Sequence, residues 1–290
     1  MLPPFELHQP DDVRTASALV DRYGDAATFY AGGTELLLIM KEGLAAYRHL
    51  IDLKTISGLS QITYDEDAGW LSIGGTATHY ALERHPVIRR HVPIVAEVER
   101  GVANLRVRSV GTIGGNLCFA EPHADPGTLL LTFDAEIDLA SHEETRAVPI
   151  GQFFAGAFET ARRPHEVLTR IRVRPWGPHT RGAYMKFGFH ERPTLGVAVA
   201  VTLTPDRSGV VDARIAVGSV APAPTRMPEA EAMLRGRSVS DAEAALKEAA
   251  AAAASAVDAV SDLHGSAEYK QEMVKVFVRR AYRAAVQKFQ

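Results

Sequence analysis

Cysteine is almost missing from this 290-residue chain: Cys118 is the only one. A single thiol cannot close an internal disulfide, carry an iron–sulfur cluster or build a Cys-rich zinc site. Its scarcity fits a reducing cytoplasm. No apolar run reaches the roughly 18 residues of a membrane-spanning helix. The opening MLPPFELHQPDD has no basic stretch followed by an apolar one, so no secretory signal is expected. An excess of charge of one sign is missing too. The formal net charge is −3, which gives no electrostatic case for nucleic acid or an anionic membrane. HEETR, HEVLT and HERPT each lack the second histidine of H-E-x-x-H, so no zinc site follows. There is no G-x-S-x-G for a serine hydrolase, and no internal repeat.

What is present is ordinary globular material, 46% hydrophobic and 23% charged. The length suits about two domains of roughly 150 residues each. DDVRTASALVDRYG reads as a helix with Asp11 or Asp12 as cap and Gly24 at its end. The strand ATFY, a glycine turn, the helix ELLLIMK and the strand HLIDL then give a βαβ-like opening. QITYDEDAGWLSIGG reads as two strands around an acidic turn, and the helical stretch after it is broken at Pro86 and Pro93. AEIDLA, RAVPI and EVLTRIRV are strands. After the Pro- and Gly-rich RPWGPHTRG come AYMKFGF, LGVAVAVTL and ARIAVGSVA, again strand-like. The alternation of Val197, Val199, Val201 and Leu203 suggests one buried face. Two helices close the chain, the first with Ser240 and Glu243 as a capping box and the second capped by Ser266.

Two glycine-rich stretches carry the chemistry. YAGGTELLLIMK (residues 30–41) places two glycines and a threonine between a strand and a helix start. It is neither a dinucleotide fingerprint nor a P-loop. SVGTIGGN (109–116) is similar in kind, with two adjacent glycines and a hydroxyl. Read alone, each is a tight turn. As a pair they could approach one ligand from two sides, because glycines admit close backbone approach and successive N–H groups form an anion-binding concavity.

With IGGTATHYALE between them and HADP after, these two stretches resemble the FAD-binding subunit of molybdenum hydroxylases, the family of the carbon monoxide dehydrogenase medium subunit and the xanthine dehydrogenase flavin domain. FFAGAFETARRPHEVLTRIRV resembles the end of that flavin domain. AYMKFGFHERPTLGVAVAV, GSVAPAPTRMPEAEAMLRG and YKQEMVKVFVRRA resemble its C-terminal domain, so the likeness covers nearly the whole chain. The resemblance implies an α+β fold. A p-cresol methylhydroxylase-type FAD-binding domain would occupy residues 1–178, in subdomains of about 1–55 and 56–178. A C-terminal domain of antiparallel sheet plus helices would follow over 179–290.

The resemblance also implies roles. The backbone of Ala31, Gly32, Gly33, Thr34, Glu35 and Leu36 would wrap the FAD diphosphate from one side, and Thr112, Gly114, Gly115 and Asn116 from the other. The hydroxyls of Thr34 and Thr112 would donate to phosphate, while the Glu35 side chain would turn away. Asp125 would contact the flavin half, Lys186 would stand near the isoalloxazine ring, and Ala103 and Leu168 would line the pocket. In the loop FHERPTLG the family often has an acidic residue shortly after the arginine, whereas Arg192 is followed here by Pro193 and Thr194. No electron acceptor is inferred from that loop. His79 and His123 read as residues that pack, cap or approach the cofactor, and Cys118 as a small buried hydrophobe.

The implied protein is an FAD-carrying electron-transfer subunit, an oxidoreductase component without catalytic residues or a metal of its own. Its expected partners are an iron–sulfur subunit with [2Fe–2S] clusters and a large molybdopterin subunit, in a dimer of heterotrimers. It would reside in the cytoplasm, or peripherally at the inner face of the membrane through its complex. The alternatives are a stand-alone FAD-dependent oxidoreductase of the same flavin fold, with His79 or Glu121 as proton donor, and a nucleotide-binding module with no redox role.

Overall fold

The computed structural model describes residues 2–188 and 192–290. Strands β1 (Glu6–His8), β2 (Ala27–Tyr30) and β3 (His49–Asp52) form a parallel sheet in the order β1-β3-β2. Between β1 and β2 runs helix α1 (Val13–Tyr23). Asp12 caps it by accepting the Thr15 N–H, and Gly24 ends it at φ +52. Ala16 and Val20 of α1 bury against Ala27 and Ile51 of the sheet. Helix α2 (Leu36–Lys41) crosses from β2 to β3, which completes the expected βαβ unit.

The middle sheet is antiparallel and takes its strands from distant sequence. Its order is β4-β5-β10-β6-β7, with β4 (Ile62–Asp65), β5 (Trp70–Gly74), β6 (Glu136–Ala140), β7 (Thr145–Pro149) and β10 (Val167–Val173). A small hairpin, β8 (Phe154–Gly156) with β9 (Glu159–Thr160), precedes β10. Six helices stand between β5 and β6. They are α3 (His79–Arg84), α4 (Pro86–His91), α5 (Pro93–Arg100), α6 (Leu105–Val110), α7 (Ile113–Phe119) and α8 (Asp125–Thr132). Pro86 and Pro93 sit at the starts of α4 and α5, where a missing N–H costs nothing. Leu82, Ile88, Val95, Leu117 and Leu130 pack onto Ile73, Ile137 and Ile171 of the sheet.

The second glycine stretch is helical where the sequence suggested a turn. Gly114 and Gly115 lie in the first turn of α7, whose N-cap is Thr112. Poor intrinsic propensity is overridden there by burial of Ile113 and Leu117 on either side of the pair.

The last sheet is antiparallel in the order β11-β12-β13-β14, from β11 (Thr180–Phe187), β12 (Leu195–Leu203), β13 (Val210–Gly218) and β14 (Thr225–Arg226). Val197, Val199, Val201 and Leu203 face a core built with α9 (Pro228–Leu234), α10 (Val239–Ala256) and α11 (Ala267–Gln287). The opposite face of β12 is buried as well. Ala198 and Ala216 join the core of the middle sheet, because small side chains let α8 lie close. A Cβ on Gly218 would stand 2.0 Å from the Thr128 hydroxyl of α8.

Ser266 caps α11 by accepting the Tyr269 N–H. The cap of α10 is Ser238, which accepts the Asp241 N–H, and Ser240 lies inside the first turn. The capping box read from Ser240 and Glu243 is therefore displaced by two residues. Ser238→Ala should cost about 1 kcal/mol, and Ser240→Ala less than about half of that. Denaturant unfolding of the two variants checks this, and equal costs would contradict the assigned cap.

Candidate functional site

The first glycine stretch turns sharply between β2 and α2. Gly33 has φ +69, a conformation that favours glycine. A Cβ on Gly32 would lie 2.4 Å from the Val110 carbonyl oxygen and 2.7 Å from the Gly111 Cα, so this loop rests backbone to backbone on the end of α6. Among the described residues, the N–H groups of Gly32, Gly33, Thr34, Glu35 and Leu36 find no acceptor. Five consecutive free donors are unusual in folded protein and suit an anionic ligand.

The α6–α7 junction faces that loop. His79 donates its N–H to the Gly111 carbonyl, Ile113 to Ala77 and Gly114 to Gly75. The Gly114 N–H is thus already paired, and its role is contact: a Cβ there would stand 2.4 Å from the Gly75 oxygen. The Thr112 hydroxyl accepts the Gly115 N–H at 3.1 Å and keeps its own proton free to donate. The Asn116 Oδ1 is buried without a hydrogen-bond partner among the described residues.

Every predicted site residue lines one cleft of about 620 Å³, within the usual range for bound cofactors. Ala31, Gly32, Gly33, Thr34, Glu35 and Leu36 line it together with Thr112, Gly114, Gly115 and Asn116. Ala103, Asp125, Leu168 and Lys186 complete it. Ala103 holds φ +39. The Leu168 carbonyl abuts Gly75, where a Cβ would fall 2.1 Å away.

Asp125 opens α8, and its carboxylate is buried. It accepts Tyr184 Oη at 2.7 Å and Lys186 Nζ at 2.7 Å. Tyr184 and Lys186 share a face of β11, so one strand delivers both donors. Burial, and then the Asp125 carboxylate, push the Tyr184 phenol well above its ordinary value. Lys186 also reaches the Gly101 carbonyl at 3.2 Å.

Glu35 turns to Arg192, 3.4 Å away, and Arg192 also pairs with Glu121 at 3.2 Å. Burial pushes the Glu35 carboxyl up, Arg192 opposes that, and Glu121 adds to it. Of the loop FHERPTLG, residues 189–191 lie outside the described residues; Arg192 and Pro193 line the cleft. Thr78, not His79, caps α3. His79 is buried with Nδ1 2.5 Å from Glu99, and it lines the cleft. His123 bonds Glu121 at 2.9 Å and Asp262 at 3.3 Å. Cys118 lines the cleft, and burial pushes its thiol up against the opposing pull of Arg162.

Sequence reading missed Tyr184, Glu99 and Glu166. Tyr184 had a signal, since it stands two residues before Lys186 in a strand. Glu99 and Glu166 had none. Glu166 is 1% exposed and accepts from Nε and one Nη of Arg146, at 2.6 and 2.8 Å, and from the Arg163 N–H at 2.7 Å. Burial raises its carboxyl, but the Arg146 and Arg163 contacts outweigh that and hold it below the ordinary value of 4.5.

A carboxylate with a lowered folded pKa contributes stability that is present above the unfolded pKa and lost as pH falls through the folded one. Glu166→Gln should therefore lower stability at pH 7 and flatten its loss below about pH 4.5, read by unfolding across pH. Lys186→Met should cost about 2–3 kcal/mol by leaving Asp125 without its cation, and Asp125→Asn in the same chain should recover part of that. Denaturant unfolding of both single variants and the double variant measures it; additive losses would show the pair to be uncoupled.

Comparison with known proteins fits this geometry. The family model described as FAD binding domain in molybdopterin dehydrogenase matches residues 3–176. The model described as CO dehydrogenase flavoprotein C-terminal domain matches residues 190–285. The chain is 33% identical to the carbon monoxide dehydrogenase medium chain of Hydrogenophaga pseudoflava over 98% of both chains. It is 32% identical to a putative xanthine dehydrogenase FAD-binding subunit of Escherichia coli K12 over 71% of this chain and 70% of that one. The solved carbon monoxide dehydrogenase of Hydrogenophaga pseudoflava superposes with a TM-score of 0.93 over 98% of both chains, at 33% identity. Quinoline 2-oxidoreductase of Pseudomonas putida 86 does so with 0.92 over 99% of both, at 27% identity. The chain belongs to the family of FAD-binding medium subunits of molybdenum hydroxylases, with the flavin domain and the flavoprotein C-terminal domain in the order that family has.

Proposed function

We propose that this chain carries FAD in the cleft and relays electrons from the [2Fe–2S] clusters of a partner subunit to an external acceptor. The observation that carries the reading is the row of free N–H groups from Gly32 to Leu36, which lines one cleft together with the Thr112 hydroxyl. Bound FAD supplies a centre that takes electrons singly and releases them in pairs.

The residues fit that group. The N–H row and the hydroxyls of Thr34 and Thr112 would hold a diphosphate without a lysine. The Asn116 Oδ1, buried and unpartnered, would accept from a ligand hydroxyl. Lys186, fixed by Asp125 and the Gly101 carbonyl, would place positive charge at the flavin half and favour the reduced form. Ala103 and Leu168 would exclude water by contact. The FAD-binding domain would span residues 1–178 and the C-terminal domain 179–290. In the complex, an iron–sulfur subunit and a large molybdopterin subunit would assemble with this chain as a dimer of heterotrimers in the cytoplasm. A stand-alone reductase is less well supported, since His79 is engaged by Glu99, and Glu121 by His123 and Arg192.

The visible spectrum of the chain, co-expressed with its genomic neighbours, tests the reading. Flavin bands that denaturation releases as FAD support it, whereas a colourless chain that also refuses added FAD overturns it. Gly33→Ala should weaken FAD retention by about tenfold or more. Its Cβ would meet the Tyr30 ring at 2.5 Å, and the residue would be held at positive φ.

A further inference from the structure

A second constellation of ligand groups lies outside the cleft. β1 runs parallel to β3 with Glu6 opposite His49. Glu6 and His8, two residues apart on one strand, point to the same side as His49. His8 Nε2 is 3.1 Å from His49 Nδ1. The two oxygens of Glu6 stand 3.8 Å from His8 Nε2 and 3.5 Å from His49 Nδ1. Tyr23, at the end of α1, stacks on the His49 ring with centroids 3.8 Å apart, and it lies 5.3 Å from the His8 ring. The two imidazoles are thus partly buried and fixed in orientation, while Glu6 remains open to solvent.

A hydrogen bond between the two rings accounts for one proton and one lone pair. It leaves the carboxylate beyond hydrogen-bond reach of both nitrogens. A central cation would engage all three groups. Donors about 2.0–2.1 Å from a tetrahedral zinc ion stand roughly 3.3 Å from one another, and the three separations here bracket that value. Two imidazoles and one carboxylate are a borderline ligand set that selects zinc and its first-row neighbours over calcium or magnesium.

We propose that Glu6, His8 and His49 bind a divalent transition-metal ion of the zinc class, with water in the remaining position. The ion would clip the three-residue edge strand β1 to β3. None of the three ligands lines the cleft, so the site is separate from FAD binding.

Isothermal titration of the chelator-treated full chain with Zn²⁺ tests this, together with Co²⁺ difference spectra as a probe of coordination. One saturable ion per chain is expected, with tetrahedral-type Co²⁺ bands that Zn²⁺ displaces. Glu6→Gln and His8→Gln should each weaken binding by about tenfold or more. Glu6 is exposed, so E6Q removes a ligand without disturbing the core, and unchanged circular dichroism and FAD content confirm that. Absence of saturable binding overturns the proposal. So does binding unchanged in E6Q and H8Q, which would place the ion at another histidine group such as His142 and His165 beside Asp21.

Discussion

Backbone packed directly on backbone is the constraint from which the cleft follows. Gly32 lies on the Val110 carbonyl, Gly114 on Gly75, and Gly75 on the Leu168 carbonyl. Each contact closes a gap that one methyl group would prop open. Linked in series, they tie the β2–α2 loop through the α6–α7 junction and the end of β5 to β10. Side chains can rotate away from a clash, but peptide planes cannot. The two glycine segments therefore hold their spacing without a ligand, and the N–H row of the first loop keeps its place on the cleft lining. Preorganised donors of this kind hold an anion better than flexible lysines would, since little ordering remains to be done on binding.

The last sheet reaches the same cleft by a different device. Alanines on the outer face of β12 and β13 let α8 approach, and α8 begins with Asp125. From β11, Tyr184 and Lys186 then meet that carboxylate. The pair is only partly dry, with the lysine side chain 27% exposed, so its net contribution to stability is modest beside its contribution to position. It fixes where a cation stands on the lining of the cleft.

Much of this was legible in the sequence, and the failures have physical causes. The βαβ opening, the proline-punctuated helices and the longer strands of the three main sheets follow from periodicity and breakers, whereas β1 and β14, three and two residues long, are too short to carry a period. The first glycine loop was readable because ATFY before it and LLLIM after it are unambiguous. The second reads as a turn because propensity is a local quantity, whereas burial of Ile113 and Leu117 is not. Ser240 with Glu243 satisfies the same spacing rule as the Ser238 cap; the fold chooses Ser238, whose neighbours Arg237 and Val239 are held by backbone bonds to Val210 and Ser208. Buried pairs such as His79 with Glu99 join residues 20 apart on different helices, a distance no pattern rule spans.

A run of polar contacts links the C-terminal helix to the first glycine loop. Lys270 of α11, with no exposed surface, bonds Asp262 at 2.6 Å; Asp262 meets His123, His123 meets Glu121, Glu121 meets Arg192, and Arg192 meets Glu35. Its members differ in weight. The outer contacts, through a half-exposed Arg192, are screened and individually worth little. The Lys270–Asp262 bond is different, because removing its carboxylate would strand a buried cation. Within the run, Arg192, which itself lines the cleft, pairs with both acids there, Glu35 and Glu121, while Lys270 pairs with Asp262 outside the lining. Arg192 thereby lowers the net negative potential beside Glu35, the one carboxylate in a loop of free N–H donors.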